Sequence, residues 1–476
     1  MRFLAARALP VLLCLLPAAC VTNPVTGHKQ FMLVSEAEEL RMGNEALPSI
    51  VSSYEHEYQD PELKRYLGTI VLRLHAVSHR ANLPVDFRVL DTSLPNAFAI
   101  PGHVFVTRGL LVLLQNEGQF AAVMGHEMGH VAARHSAVGA TRNMVAGLGM
   151  GLLGEALGRD LAGGAVLGFK LFSLHYGRSQ EYQADKLGAY YAWRAGWDPQ
   201  CAVEVQEILL RLGGSDPGLL STLFSTHPPG KDRIRKLRKE IPTFGLTKAD
   251  IQGDGRFAAR WNRHLASLKR NHRIYRKYYD PARKLLSRGK TGRALSLLEQ
   301  GIRLAPGLAP LHRLAGDALT ALKRNSQAAS AYRAAVRLDP KYVQPLFGLG
   351  RLAFRERAYS RAENFFRRCL AKFPGYTAAA YGLGLSLHRQ GKWKAAVRPL
   401  VQAAKGGAGA PCLAVLGDCM DKLGRYDKAL KLYKVVAEYA KKKPAAAKDP
   451  DVKRALERIP ALEKLVPKPK KKPKKR

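Results

Sequence analysis

The spacing of apolar positions changes character along the chain. VDFRVLDT (85–92) and HVFVTRGLL (103–111) alternate like half-buried strands, joined by the turn-rich SLPNAFAIPG (93–102). A helical period follows over about residues 115–137. Next comes a Gly-rich apolar stretch, 144–171, interrupted by Glu155, Arg159 and Asp160. Those charges argue against a membrane span and leave two forms open: a packed helical hairpin, or a flap that touches lipid or an unfolded chain. From about 275 to 440 the pattern repeats. Ala294, Ala328, Ala362, Ala396 and Ala429 recur at intervals of 34, 34, 34 and 33 residues. Four positions after each stands a bulky residue: Leu298, Tyr332, Phe366, Leu400 and Tyr433.

The repeat has a packing logic. A small alanine lets paired helices approach, the bulky residue fills the gap, and Pro306, Pro340 and Pro374 end the second helix of three units. Gly316, Gly350, Gly384 and Gly417 mark the first helices, while the first unit has Ala282 there and reads as a cap. This period and alternation resemble the tetratricopeptide repeat, hence an α-solenoid.

Composition describes a globular protein: 476 residues, 46% hydrophobic and 24% charged, enough for two or three domains. The net charge of +39 favours anionic partners without choosing among them. The first residues narrow the compartment. Arg2 and Arg7, a short apolar run Leu9–Leu16 and then Pro17-Ala18-Ala19 predict a signal peptide over 1–19. Cys20 after AA resembles a lipoprotein acylation site, although Pro17 stands where such sites usually carry Leu. Simple secretion is the alternative. Val21 is not the aspartate that, by that resemblance, retains lipoproteins at the inner membrane, so the expected place is the periplasm, anchored to the outer membrane. Cys412 and Cys419 are too far apart on one helix to bridge, and Cys201 and Cys369 sit in apolar helical patterns as core residues. No Cys-x-x-Cys appears. The terminal PKPKKKPKKR (467–476) reads equally as a solvated tail or as an adhesive for anionic lipid.

The candidate chemistry lies in MGHEMGHVAARH (124–135). Residues four apart on a helix project side by side, so His126 and His130 can offer two imidazole nitrogens to one ion. Glu127, beside the first, can reach a water on that ion and take its proton. Gly125 and Gly129 suit the close approach of substrate or another helix. His-Glu-x-x-His alone is a weak signal, and zinc needs a third protein ligand with one position left open. SQEYQADKLGAYYAW (179–193) supplies Glu181 and Asp185, two carboxylates on one helical face. An ion with its histidine shell would resolve their repulsion: Glu181 as third ligand, Asp185 accepting the free ring N–H of His126. The bland alternative is a solvated acidic face.

LPNAFAIPGHVFVTRGLL, GHEMGHVAARH, EYQADKLGAY and STHPPGKDRI, in that order over roughly residues 40–240, resemble family forty-eight of the zinc metallopeptidases, which are gluzincins. With the leader and repeats, the whole chain resembles BepA-like periplasmic lipoprotein protease/chaperones. The resemblance implies one Zn²⁺ held by His126, His130 and Glu181, with Glu127 as general base and Asp185 orienting a ligand. It also implies that Asn96–Ala99 form a sheet edge beside the cleft, where an extended peptide could add as a strand. His227 is open to three readings: oxyanion donor, cap on the open metal position, or turn histidine before two prolines. His103 and His135 read as bystanders, the latter rotated off the ligand face, and Arg178 is a weaker candidate for steadying a carboxylate. One departure is that Gly102 is followed by His103 where relatives usually have a second glycine.

The expected fold is mainly α (α+β): a zincin-like metallopeptidase domain with a small edge sheet over 36–245, then the solenoid over 275–440. Residues 20–35 are expected as a tether, 246–274 as a linker and 441–476 as a basic tail. The expected function is zinc-dependent endoproteolysis in envelope quality control. The repeats would deliver misfolded or stalled envelope proteins, with the outer-membrane assembly machinery as a further partner. The other class is a non-catalytic scaffold or chaperone, though such a protein has no use for Glu127. Nucleic-acid binding lacks any recognition motif, and the leader directs the chain away from it.

Overall fold

A computed structural model describes residues 20–142, 176–215 and 220–466. The leader 1–19, the Gly-rich stretch 144–171 and the tail 467–476 lie outside the described residues, and with them the expectations placed there. The chain divides into two compact units, residues 1–280 and 281–476. Among the described residues, no helix is long and apolar enough to cross a membrane.

The first unit opens with a hairpin, β1 (Cys20–Thr22) and β2 (Lys29–Phe31), antiparallel. The expected tether is therefore structured. Met32 and Val34 are buried against Ala137 and Ala140, and the Leu33 amide donates to Thr141 Oγ1. Ser35 then caps α1 (Glu36–Ser53) through a reciprocal box with Glu38, and Asp60 caps α2 (Pro61–Ala76) with Pro61 in its first turn.

Three strands follow: β3 (Asp86–Leu90), β4 (Ala97–Ile100) and β5 (His103–Thr107). Their order is β3-β5-β4, with β3 parallel and β4 antiparallel to β5, so β4 is an edge. The turn-rich link thus contains a strand of its own. Pro101 and Gly102 make the two-residue turn from β4 to β5, and Gly102 has φ +88. Pro at the first and Gly at the second central position suit a type II turn, so the chain needs no second glycine there.

A short helix α3 (Arg108–Leu111) leads to α4 (Glu117–Ala132), capped by Asn116, whose Oδ1 accepts from the Gln119 amide at 2.8 Å. Then come α5 (Arg178–Arg194), α6 (Gln200–Ser215), α7 (Ser221–Thr226), α8 (Lys231–Glu240) and α9 (Ala258–Ile274). The last corrects the expected linker: Trp261, Leu265 and Leu268 are fully buried in the core with Leu67, Phe120, Met124 and Tyr191. Their 4- and 3-residue spacing is helical, but it lies in a run so rich in arginine that composition conceals it.

The second unit is an array of antiparallel helix pairs, from α10 (Asp280–Ser287) and α11 (Thr291–Leu304) through α12 (Ala309–Ala321), α13 (Asn325–Leu338), α14 (Val343–Arg355) and α15 (Tyr359–Lys372). It continues with α16 (Thr377–Arg389), α17 (Trp393–Lys405), α18 (Gly409–Lys422) and α19 (Tyr426–Lys442). All five periodic alanines are 0% exposed. A Cβ built on Gly316 would sit 2.6 Å from the Tyr332 ring, and on Gly350 2.7 Å from Phe366, so the small and bulky positions face each other as the period predicts. Part of the expected basic tail belongs to this unit: α20 (Pro450–Leu465), capped by Asp449, buries Val452, Ala455 and Leu462. Cys201, Cys369, Cys412 and Cys419 are free and buried.

Candidate metal centre

The site is made by two helices that touch backbone to backbone. A Cβ on Gly125 would lie 2.8 Å from the Gly188 carbonyl oxygen, and one on Gly188 would lie 2.6 Å from the His126 nitrogen. Gly129 meets Ala184 and Leu187 the same way. The small residues of the motif therefore admit α5, and the approach sets the carboxylates of α5 opposite the histidines of α4.

His126, His130, Glu181 and His227 each offer one atom to a common point, all within 4.8 Å of one another. Nε2 of His130 is 3.1 Å from Nε2 of His126 and 3.3 Å from Oε1 of Glu181. Nδ1 of His227 is 3.0 Å from that Oε1 and 3.3 Å from His126 Nε2. Zinc bonded tetrahedrally at about 2.0–2.1 Å separates its ligand atoms by about 3.3 Å. The donor set and its spacing fit that ion. Glu127 is buried beside the group but outside it, with Oε1 3.7 Å from His227 Nε2.

Each donor is held from behind. Asp185 Oδ1 lies 2.9 Å from His126 Nδ1, the partnership expected from the sequence. Burial disfavours a charged His126 ring, but Asp185 and Glu181 outweigh it and raise its pKa, whereas burial drives that of His130 well down. Burial would also raise the Glu181 carboxyl; hydrogen bonds from His130 and His227 and nearby positive charge hold it far below the usual range instead.

Arg233 is the residue that sequence reasoning missed. Its Nη1 is 2.8 Å from Glu181 Oε2, and its Nη2 and Nε are 2.6 and 2.7 Å from the two oxygens of Asp185. It also donates to the Pro228 carbonyl at 3.0 Å, tying down the turn that carries His227. The signal was present in STHPPGKDRI, but nothing local shows that α8 turns this arginine inward. Arg178, the weaker candidate, is exposed at the start of α5 and takes no such part.

His135 is not a bystander. Its Nδ1 lies 2.8 Å from Nδ1 of His130. Continuing the helix to 137 would rotate it away, but α4 ends at Ala132 and Arg134 takes φ +57, which swings the chain back. His103 stays apart, bonded to Asp86 and Asn44. Tyr176 stacks on His130 with centroids 3.9 Å apart. Beside the group lies a cavity of about 40 Å³ walled by Ala97 of β4, Val123, Leu209 and Leu223, with Glu127 and His227 at its polar end.

A helix-borne His-Glu-x-x-His closed by a glutamate from a second helix, beside a small sheet, defines a metallopeptidase-type domain. Here a helical repeat array follows it. The chain belongs to peptidase family M48, whose model matches residues 61–241. Models described as tetratricopeptide repeat and as anaphase-promoting complex, cyclosome, subunit 3 match residues 279–343 and 355–436.

Similar proteins include the mitochondrial metalloendopeptidase OMA1 of Schizosaccharomyces pombe, 32% identical over 46% of this chain and 66% of that one. The beta-barrel assembly-enhancing protease of Escherichia coli is 29% identical over 46% of each chain. A protease HtpX homolog of Desulfatibacillum aliphaticivorans is 30% identical over 41% of this chain and 75% of that one. The first listed relatives are thus matched over about half to two thirds of their length.

Proposed function

We propose that this protein is a zinc-dependent metalloendopeptidase of the cell envelope. The observation that carries the reading is the convergence of His126, His130 and Glu181 on one point, with Glu127 buried alongside and outside the ligand group. Zinc, when bound, supplies a Lewis acid that polarises a scissile carbonyl and makes water acidic enough to attack near neutral pH.

The protein's own groups do the rest. Glu127 takes the proton of the attacking water on its carboxylate and returns it to the leaving amine. Asp185 keeps His126 in the form whose Nε2 is free to bind. An extended substrate segment adds along β4, an edge strand among the described residues, and Ala97 of that strand lines the small cavity beside Glu127. His227 Nδ1, 3.0 Å from Glu181 Oε1 and 3.3 Å from His126 Nε2, could also reach an ion held there, and in that case it would have to move before a substrate carbonyl could enter. Arg233 ties the His227 turn through the Pro228 carbonyl, and the His227 amide donates to the Leu223 carbonyl.

In this reading the repeats bind misfolded or stalled envelope proteins for delivery to the site. Acylated Cys20 holds the chain to the periplasmic face of the outer membrane, near the assembly machinery. The sequence before Cys20 and the name of the E. coli relative support that placement.

The test is zinc content together with cleavage of unfolded casein. Glu127→Gln should keep stoichiometric zinc while hydrolysis falls by about 10²–10⁴-fold. Equal rates for the two proteins would sink the reading. Substrates trapped on Glu127→Gln, identified by mass spectrometry, should be outer-membrane proteins.

A further inference from the structure

An imidazole can present Nε2 to an ion only when its hydrogen sits on Nδ1. For His126 the carboxylate of Asp185 enforces that form. Among the described residues, the Nδ1 of His130 faces not a carboxylate but another imidazole, Nδ1 of His135, at 2.8 Å. Two ring nitrogens at that distance share one hydrogen, so one donates and the other accepts. Geometry at these two atoms does not say which.

Gln183 decides it. Its Oε1 lies 3.1 Å from Nε2 of His135, and a carbonyl oxygen only accepts. His135 Nε2 therefore carries the hydrogen, and in a neutral ring Nδ1 is left bare. That bare nitrogen takes the hydrogen bond from Nδ1–H of His130, whose Nε2 lone pair is then directed at Glu181, His126 and His227. We propose that His135 is a positioning residue for the metal, acting with Gln183 as a two-bond neutral relay that holds His130 in its ligating tautomer.

The surroundings support a built device. His135 is 4% exposed, so water does not compete for its ring. The Tyr176 ring lies on His130, and its hydroxyl is 3.1 Å from Oγ of Ser136, next to His135. The left-handed Arg134 that aims His135 is anchored by donating to the Val34 carbonyl at 2.9 Å. Helix α5 thus orients both histidine ligands: His126 directly through Asp185, and His130 at one remove through Gln183.

The inference rests on the metal reading above, and its test separates the two. Zinc affinity of the full chain is measured by competition with a chelator, alongside the rise in Tm that zinc produces. His135→Leu should bind zinc about 10–100-fold more weakly, the usual cost of losing a partner behind a ligand. His135→Asn places an amide oxygen where Nδ1 stood and should stay within about threefold of wild type, as should Gln183→Glu, which keeps an acceptor. A purely structural role would lower the Tm of the zinc-free protein and leave the zinc-induced rise unchanged.

Should His135→Leu fold poorly, ¹⁵N spectra of histidine-labelled wild-type protein with zinc read the tautomer directly. Hydrogen on Nε2 and a bare Nδ1 at His135 support the relay. The reverse tautomer overturns it, as does His135→Leu with wild-type affinity or His135→Asn as weak as His135→Leu. If wild type itself binds no zinc, the metal reading fails and the relay with it.

Discussion

Both units bring helices close with small residues, but they fill the space differently. In the repeats a glycine or alanine on one helix receives a large side chain from its neighbour, as Gly316 receives Tyr332 and Gly350 receives Phe366. The gap is occupied by apolar atoms, and the contact recurs because the sequence recurs. Between α4 and α5 nothing is inserted. Gly125 and Gly188 meet backbone to backbone, and the side chains that flank them, His126, His130, Glu181 and Asp185, converge on a polar point instead. One arrangement stores stability in packed volume. The other uses proximity to place groups that repel or desolvate one another unless a cation is shared. A repeat contact can therefore be weakened without chemical consequence, whereas a small displacement at the glycine seam separates the ligands.

The largest effect is expected at that seam. Gly188→Val places carbon within contact of the His126 backbone nitrogen, so α5 has to move; the protein should lose bound metal on dialysis. A variant retaining full metal would show that the seam does not set the ligand spacing. Tyr332→Ala in the repeats empties the space against Gly316 and Gly348 and should cost about 3–5 kcal/mol in urea unfolding, with zinc stoichiometry unchanged. Loss of metal in this variant would blur the contrast between the units.

The smallest effect is electrostatic. Burial, with Arg108 and Arg276 nearby, lowers the His272 pKa to about 4. The unfolded chain binds this proton more tightly, at its ordinary value of about 6.5. Stability from this group is therefore complete above pH 6.5 and is lost as pH falls towards 4. After solvent screening the loss is on the order of 1 kcal/mol. His272→Gln should flatten the urea midpoint across that window, and an unchanged slope would remove His272 as the cause.

How much was legible follows the range of each interaction. His126 and His130 share a face because four residues make about one helical turn, and that holds in any context. Glu181 and Asp185 pair for the same reason. The solenoid was readable from its period, whereas the edge strand Ala97–Ile100 lies in a stretch that reads as a turn-rich link and was implied only by the family resemblance. Residues 246–274 misled because arginines surround Trp261, Leu265 and Leu268, so composition read as linker what spacing marks as a core helix. Residues 20–35 misled because so short a hairpin gains its structure only from the surface it covers, and 450–465 because this mixed-charge helix lies between lysine-rich runs that conceal its apolar spacing.

His135 and Arg233 were not legible as partners of the site. The first depends on one left-handed residue, Arg134, that ends α4 early. The second depends on how α8 docks, since Arg233 reaches Asp185 across 48 positions. The sequence alone determined which groups could act: two imidazoles and a base on one helix, two carboxylates on another, and a stack of small and bulky residues at a fixed period. Tertiary structure alone decided which groups stand behind them, because helix geometry places neighbours along a chain, while the contact of one helix with another is set by the packing of everything else.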